Sequence, residues 1–153
     1  MARNAKRLVA AAILATAISG CQTANIDTAM TASFQADRSD EQLALAEKHF
    51  AQGSYGLAEK SYRKAVEATP KDGTAWLGLA ASYDQLGRFD LSDRAYAQLI
   101  KLEGRRASIL NNQGYSYLLR GDLVKARRVL SEAKSLAPSS TIIEGNWQLA
   151  AAG

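Results

Sequence analysis

The chain has 153 residues, 47% of them hydrophobic, with 19 basic and 15 acidic side chains and a formal charge of +4. That length suits one small domain with a modest core. A single cysteine and a single histidine exclude an internal disulfide and any zinc site built from several Cys and His ligands.

The chain opens on Arg3, Lys6 and Arg7, followed by an apolar run from Leu8 to Ile18. A basic start and a short apolar stretch are the pattern of a secretory signal peptide, and the run is short for a membrane span. It ends in Ile18-Ser19-Gly20-Cys21. These four residues resemble a bacterial lipobox. The resemblance implies cleavage of residues 1–20 and acylation of Cys21, with Gln22 behind it favouring the outer membrane and a periplasmic location. Removing the three early cations leaves 16 basic against 15 acidic side chains, so the high pI of 9.3 belongs largely to the leader. Nucleic-acid binding needs a concentrated basic footprint, and none remains.

Residues 22–38 are poor in large apolar groups and rich in Thr, Ser, Gln, Asn and Asp. They read as a flexible tether, with a contour of about 55 Å at ~3.3 Å per residue. Ile26, Met30 and Phe34 fall four apart, which also fits a transient amphipathic helix.

Ser39-Asp-Glu-Gln42 reads as a capping box that starts a helix ending at Gly53. A second helix is expected over 55–68, stopped by Pro70. Two further pairs follow over 73–86 and 89–102, then 107–119 and 123–136. Asp122 stands at the start of the last of these, where negative charge suits the helix dipole. Thr141 to Ala151 forms a final helix whose Ile142, Ile143, Trp147 and Leu149 are expected to cover the apolar end of the stack. No segment alternates as a strand would.

Gly53, Gly87 and Gly121 stand at intervals of 34 residues. Counting from Ser39 as position one, other columns keep that period. The fourth position holds Gln42, Trp76 and Leu110; the eighth holds Ala46, Ala80 and Gly114; the eleventh holds His49, Tyr83 and Tyr117. Tyr55, Phe89 and Leu123 follow the glycines. Ala58, Ser92 and Ala126 are small at position twenty, and Tyr62, Tyr96 and Leu130 are large at twenty-four. Pro70, Gly104 and Pro138 close the units. This pattern resembles the tetratricopeptide repeat over 39–72, 73–106 and 107–140. The resemblance implies an all-α solenoid of three helix pairs plus a capping helix over 141–153. Gln113 stands in a leucine column, His49 in a tyrosine column, and Gly104-Arg105-Arg106 replaces the closing proline, which predicts a looser turn there.

No nucleophile elbow or phosphate loop is present. His49 is expected to pack between helices rather than catalyse. The chain therefore reads as a non-enzyme, with no catalytic residues, no cofactor and no metal.

In the family it resembles, the first helix of each pair lines a concave groove at positions 2, 5, 6, 9, 12 and 13. Those positions give Leu43, Glu47 and Phe50 in the first repeat. They give Leu77, Ala81, Asp84 and Gln85 in the second, and Asn111, Asn112, Tyr115, Leu118 and Leu119 in the third. Leu43, Phe50, Leu77 and Tyr115 are expected to supply apolar area, and Asn111 and Asn112 to hydrogen-bond a partner's backbone. The partner is a protein, as a helix or an extended peptide. The lysines and arginine of the carboxylate clamp for chaperone tails are missing. The segment from Leu110 to Asp122 is similar to the TadD lipoproteins of the tight-adherence (Flp) pilus machinery. That likeness implies help in assembling the pilus or its secretin. A general envelope adaptor for proteases or peptidoglycan enzymes is the alternative.

Overall fold

The computed structural model describes residues 21–152, which form seven helices. They are α1 (Cys21–Ala51), α2 (Tyr55–Ala68), α3 (Gly73–Gln85), α4 (Phe89–Glu103), α5 (Ala107–Leu119), α6 (Leu123–Leu136) and α7 (Thr141–Ala152). No strand occurs among the described residues. The leader over residues 1–20 lies outside them. Each helix packs on its successor, the closest partners being α1 with α2, α3 with α4, and α5 with α6. This is the expected all-α solenoid of helix pairs.

The three periodic glycines all take positive φ, +71° at Gly53, +68° at Gly87 and +73° at Gly121. A side chain is strained there, because Cβ crowds the neighbouring carbonyl. The same closing bond recurs after each glycine. The amide of Ser54 donates to the His49 carbonyl at 2.9 Å, Arg88 to Tyr83 at 2.8 Å and Asp122 to Tyr117 at 2.9 Å. This six-to-one closure satisfies carbonyls that the helix end would leave orphaned and turns the chain back on itself.

Small residues let the paired helices approach. Ala46, Ala58 and Ala65 are fully buried beside Tyr62 in the first repeat, and Ala126 and Ala133 lie fully buried in the third. Tyr96, Leu99, Leu110 and Leu130 are the largest fully buried side chains. The core is thus a string of four small clusters along the stack, joined through residues such as Trp76, Ile100 and Tyr117.

Two expectations change at the N-terminal end. Ser39 does not cap a helix, because α1 already runs through it from Cys21. Its side chain is buried, and its hydroxyl donates to the Ala65 carbonyl at 3.4 Å. The expected tether over 22–38 has helical backbone continuous with α1. A cap with two side-chain bonds, which the glycine register did not point to, stands before α3. Asp72 accepts from the amides of Thr74 at 2.8 Å and Ala75 at 3.2 Å at the start of α3. Asp122 accepts from the Lys125 amide at 3.1 Å, as its position promised.

The turn after α4 is built differently from the turn after α2. Gly104 ends α4 with φ +78°, and α4 meets α5 less extensively than α2 meets α3. Arg105 spans this junction, with a bidentate pair to Glu132 of α6 at 2.6 Å for both bonds. By contrast, Pro70 stops α2 and offers its carbonyl to the Trp76 indole at 2.9 Å, which fastens α3 to the turn before it.

Candidate functional site

Contacts between the first helices define one face of the molecule. α3 touches both α1 and α5, and α5 touches α7. Among the described residues, α2, α4 and α6 do not meet one another. A stack whose first helices converge and whose second helices diverge is curved, with the first helices on the inner side.

The twelve expected groove residues divide into four sets. Leu43 and Phe50 pack against the first core cluster, Leu77 against the second and Leu118 against the last. They are half-buried, so much of their apolar area is spent inside the fold. Glu47, Gln85, Tyr115 and Leu119 are exposed, with Ala81 half-buried between them.

Asp84 belongs to neither group and corrects the expectation that it faces a partner. It is buried. The Tyr96 hydroxyl donates to one carboxylate oxygen at 3.1 Å, and the Ser116 hydroxyl to the other at 2.6 Å. Arg120 donates to the Ser116 hydroxyl at 2.8 Å and closes a bidentate pair with Asp93 at 2.9 Å for both bonds. Its guanidinium also lies over the rings of Phe89 at 4.7 Å and Tyr117 at 4.8 Å. Burial pushes the Asp84 carboxyl up, while the hydroxyls and the Arg120 charge pull it back. Burial, and then the charge of Asp84, push the Tyr96 hydroxyl well up. The network joins the second repeat to the third and is structural.

Asn111 and Asn112 are half-buried. Asn112 donates to the Ser108 carbonyl one turn back at 2.9 Å, which leaves its amide oxygen free. Asn111 already has a partner, since the Asn146 amide of α7 donates to its oxygen at 2.9 Å. Both asparagines line a cleft of ≈ 520 Å³ with Ser108, Arg106, Ile142 and Ser140. The register reading missed α7 as a part of this face. Ile142, Asn146 and Leu149 fall on one helical stripe, and Asn146 touches Asn111.

The capping helix also departs from expectation. Ile143 and Ala150 are buried against α5 and α6. Trp147 is half-buried, donates to the Ser131 hydroxyl at 3.0 Å and carries Lys134 over its ring at 4.2 Å. Ile142 and Leu149 do not cover the stack; they are 70% and 62% exposed. His49 is half-buried, and its Nδ1 is buried without a hydrogen-bond partner among the described residues.

Among the described residues no three His, Cys, Asp or Glu side chains gather as a metal site would require. No described helix is long and apolar enough to cross a membrane. What the inner face offers is a shallow surface of apolar, amide and carboxylate groups, suited to a peptide segment.

Comparison with known proteins agrees. A family model described as tetratricopeptide repeat matches residues 43–92 and 80–141. A curated relative, small glutamine-rich tetratricopeptide repeat-containing protein 2 of Mycosarcoma maydis, is 26% identical over 113 residues. That match takes in 69% of this chain and 32% of the relative, so the chain spans about a third of its length. Among solved structures, the first repeat domain of Spaghetti (RPAP3) bound to the HSP90 peptide SRMEEVD is similar at a TM-score of 0.68 and 17% identity, covering 76% of this chain and 92% of that one. The Pseudomonas aeruginosa pilF structure is similar at a TM-score of 0.67 and 24% identity, covering 77% of this chain and 54% of that one. The glycine turns, the small-to-large helix packing and the family match agree, and this chain belongs to the tetratricopeptide-repeat family.

Proposed function

We propose that this protein is an envelope-anchored scaffold that binds a protein segment on its inner face and assists assembly of a tight-adherence (Flp) pilus or its secretin. The scaffold role rests on the curved face made by α1, α3, α5 and α7. The observation that carries the envelope setting is Ile18-Ser19-Gly20-Cys21 behind a basic, apolar leader. In this reading Cys21 is the lipid-bearing N-terminus of an outer-membrane lipoprotein facing the periplasm. The helical backbone from Cys21 to residue 38 then serves as a stalk of about 27 Å at ~1.5 Å rise per residue. The pilus role is supported by the likeness of Leu110–Asp122 to TadD lipoproteins and by the similarity in fold to pilF.

Capture from detergent-solubilised envelopes with the full lipidated chain tests the role. Secretin or pilus-assembly subunits are the expected catch. Recovery of proteases or peptidoglycan hydrolases alone would overturn it in favour of a general envelope adaptor. Cys21→Ser tests the anchor separately, because it should move the protein from the membrane to the soluble periplasmic fraction.

A further inference from the structure

We infer that the inner face selects a basic, amphipathic peptide segment, apolar where it crosses α5 and α7 and cationic where it reaches α1. This rests on the scaffold reading above and specifies the chemistry of the segment bound.

The first observation is the placement of polarity on α7. Shifted by one repeat of 34 residues, Glu144 and Gln148 occupy the register of Leu110 and Gly114, which are buried against α6. In α7 this outward stripe is polar. Glu144 pairs with Lys134 at 2.6 Å and accepts from Gln148 at 3.0 Å. A helix whose outer side is closed this way ends a stack. The apolar residues of α7 that remain in water are therefore not an unfinished core. They are Ile142 and Leu149, in the register of the exposed Ser108 and Tyr115, and both share the inner stripe of Asn146. With Tyr115 and Leu119, 40% and 41% exposed, they place four exposed apolar side chains at inner-face register positions of α5 and α7. Exposed apolar side chains gathered on one face mark a binding surface.

The second observation is the distribution of charge. Among the inner-face positions of α1, α3, α5 and α7, the exposed charges are Asp40 and Glu47, both on α1, and there is no lysine or arginine. The repeated cations stand instead on the supporting helices, as exposed Lys60, Arg94 and Arg128 at one repeat position. An acidic tail such as SRMEEVD, seen on the Spaghetti domain, would meet like charge on α1 and, beside the α5–α7 cleft, an Arg106 already paired with Glu103 at 2.7 Å. A cationic end would meet Asp40 and Glu47. Three interhelix steps of roughly 10 Å separate α1 from α7, a distance that an extended segment of ~9 residues spans.

The probes are two labelled twelve-residue peptides with the same Leu/Ala-rich half, one ending in three lysines and the other in three glutamates. Fluorescence anisotropy with residues 21–153 should show the lysine peptide binding about tenfold more tightly at low salt, with the preference shrinking as salt rises. Glu47→Lys should narrow or reverse the preference. Leu149→Asp, at an exposed site, should weaken both peptides, with an unchanged melting curve showing that the fold is kept. Equal or tighter binding of the glutamate peptide overturns the inference. So does Leu149→Asp without effect, or failure of both peptides to bind. The envelope capture separates this failure from that of the scaffold reading. If wild type recovers pilus subunits and Leu149→Asp recovers them equally well, the scaffold stands and the inferred surface falls.

Discussion

At the scale of single residues, the fold depends on places where no side chain fits. A Cβ on Gly78 would run into the ring of Tyr62, a buried aromatic that cannot swing aside. Gly78→Ala should therefore destabilise by about 1–3 kcal/mol, the usual cost of overpacking. A Cβ on Gly73 meets the carboxyl end of Glu103, which can swing away on giving up its pair with Arg106, and touches Leu99 at 3.2 Å, so Gly73→Ala should cost less than Gly78→Ala. Chemical denaturation of the two variants checks the contrast, and equal losses would contradict it. Asp84 gives a residue-scale pH effect. Its folded carboxyl holds a proton more tightly than the ordinary carboxyl at 3.8. Its contribution to stability is thus greatest below the unfolded value and is lost as pH rises through the folded one. The pairs of Glu132 and Glu144 act in the opposite sense, since their carboxyls are lowered by Arg105 and Lys134, and they lose stability on acidification. Comparing wild type with Asp84→Asn from about pH 7 to about pH 4 cancels those shared effects. Wild type should gain on the variant as pH falls, and a gap that is constant or widens the other way would contradict the assignment.

At the scale of helices, the sequence was legible where a local signal and the repeat agreed. Gly53, Gly87 and Gly121 placed the turns, and helices α2 to α7 begin and end close to the expected residues. Legibility failed where a side chain had two uses. Ser39 has the chemistry of a cap but turns toward the Ala65 carbonyl, and helix periodicity alone could not show that α1 begins earlier. Asp84 occupies a groove column, yet Ser116, 32 residues away, supplies the donor that draws it inward. That pairing is visible only once the repeats are stacked. The last helix shows the same limit. Ile142, Ile143, Trp147 and Leu149 look equally apolar, but only Ile143 and Trp147 pack into the stack. Trp147→Ala removes half-buried area, the bond to Ser131 and the Lys134 contact, and should cost about 2–4 kcal/mol. Leu149→Ala should change melting little, because that side chain stands in water. A similar loss from both would mean that α7 caps through its inner stripe after all.

At the scale of the whole molecule, a stack of repeats is held by its internal pairs and by the joints between neighbours, and the weakest joint sets where it opens. The two main joints here differ in kind. Between the first and second repeats, α2 and α3 pack extensively, and Tyr62, Ala75, Leu79 and Tyr83 share one buried apolar cluster. Between the second and third, α4 and α5 meet less, Gly104 ends α4 without a proline, and a polar network runs beside the apolar contacts of Leu99, Ile100 and Ile109. Its centre is Arg120, largely buried, which holds Asp93 and the Ser116 hydroxyl that reaches Asp84. Polar joints are costly when one member is lost, because the remaining groups stay desolvated without partners. Arg120→Ala should therefore lower stability by about 1–3 kcal/mol, and the loss should not be shared evenly. Native-state hydrogen exchange should show α5, α6 and α7 opening together at lower free energy, while amides of α2 and α3 keep most of their protection. Uniform loss across all seven helices would mean that the stack opens as one unit, and that the turn at Gly104 is no boundary. A boundary there would matter for binding, because Tyr115, Leu119, Ile142 and Leu149 all lie beyond it and Glu47 lies before it. A segment that touches both sides would then clamp the joint, and the lysine-ended peptide should raise protection in α5 to α7 more than in α2 and α3.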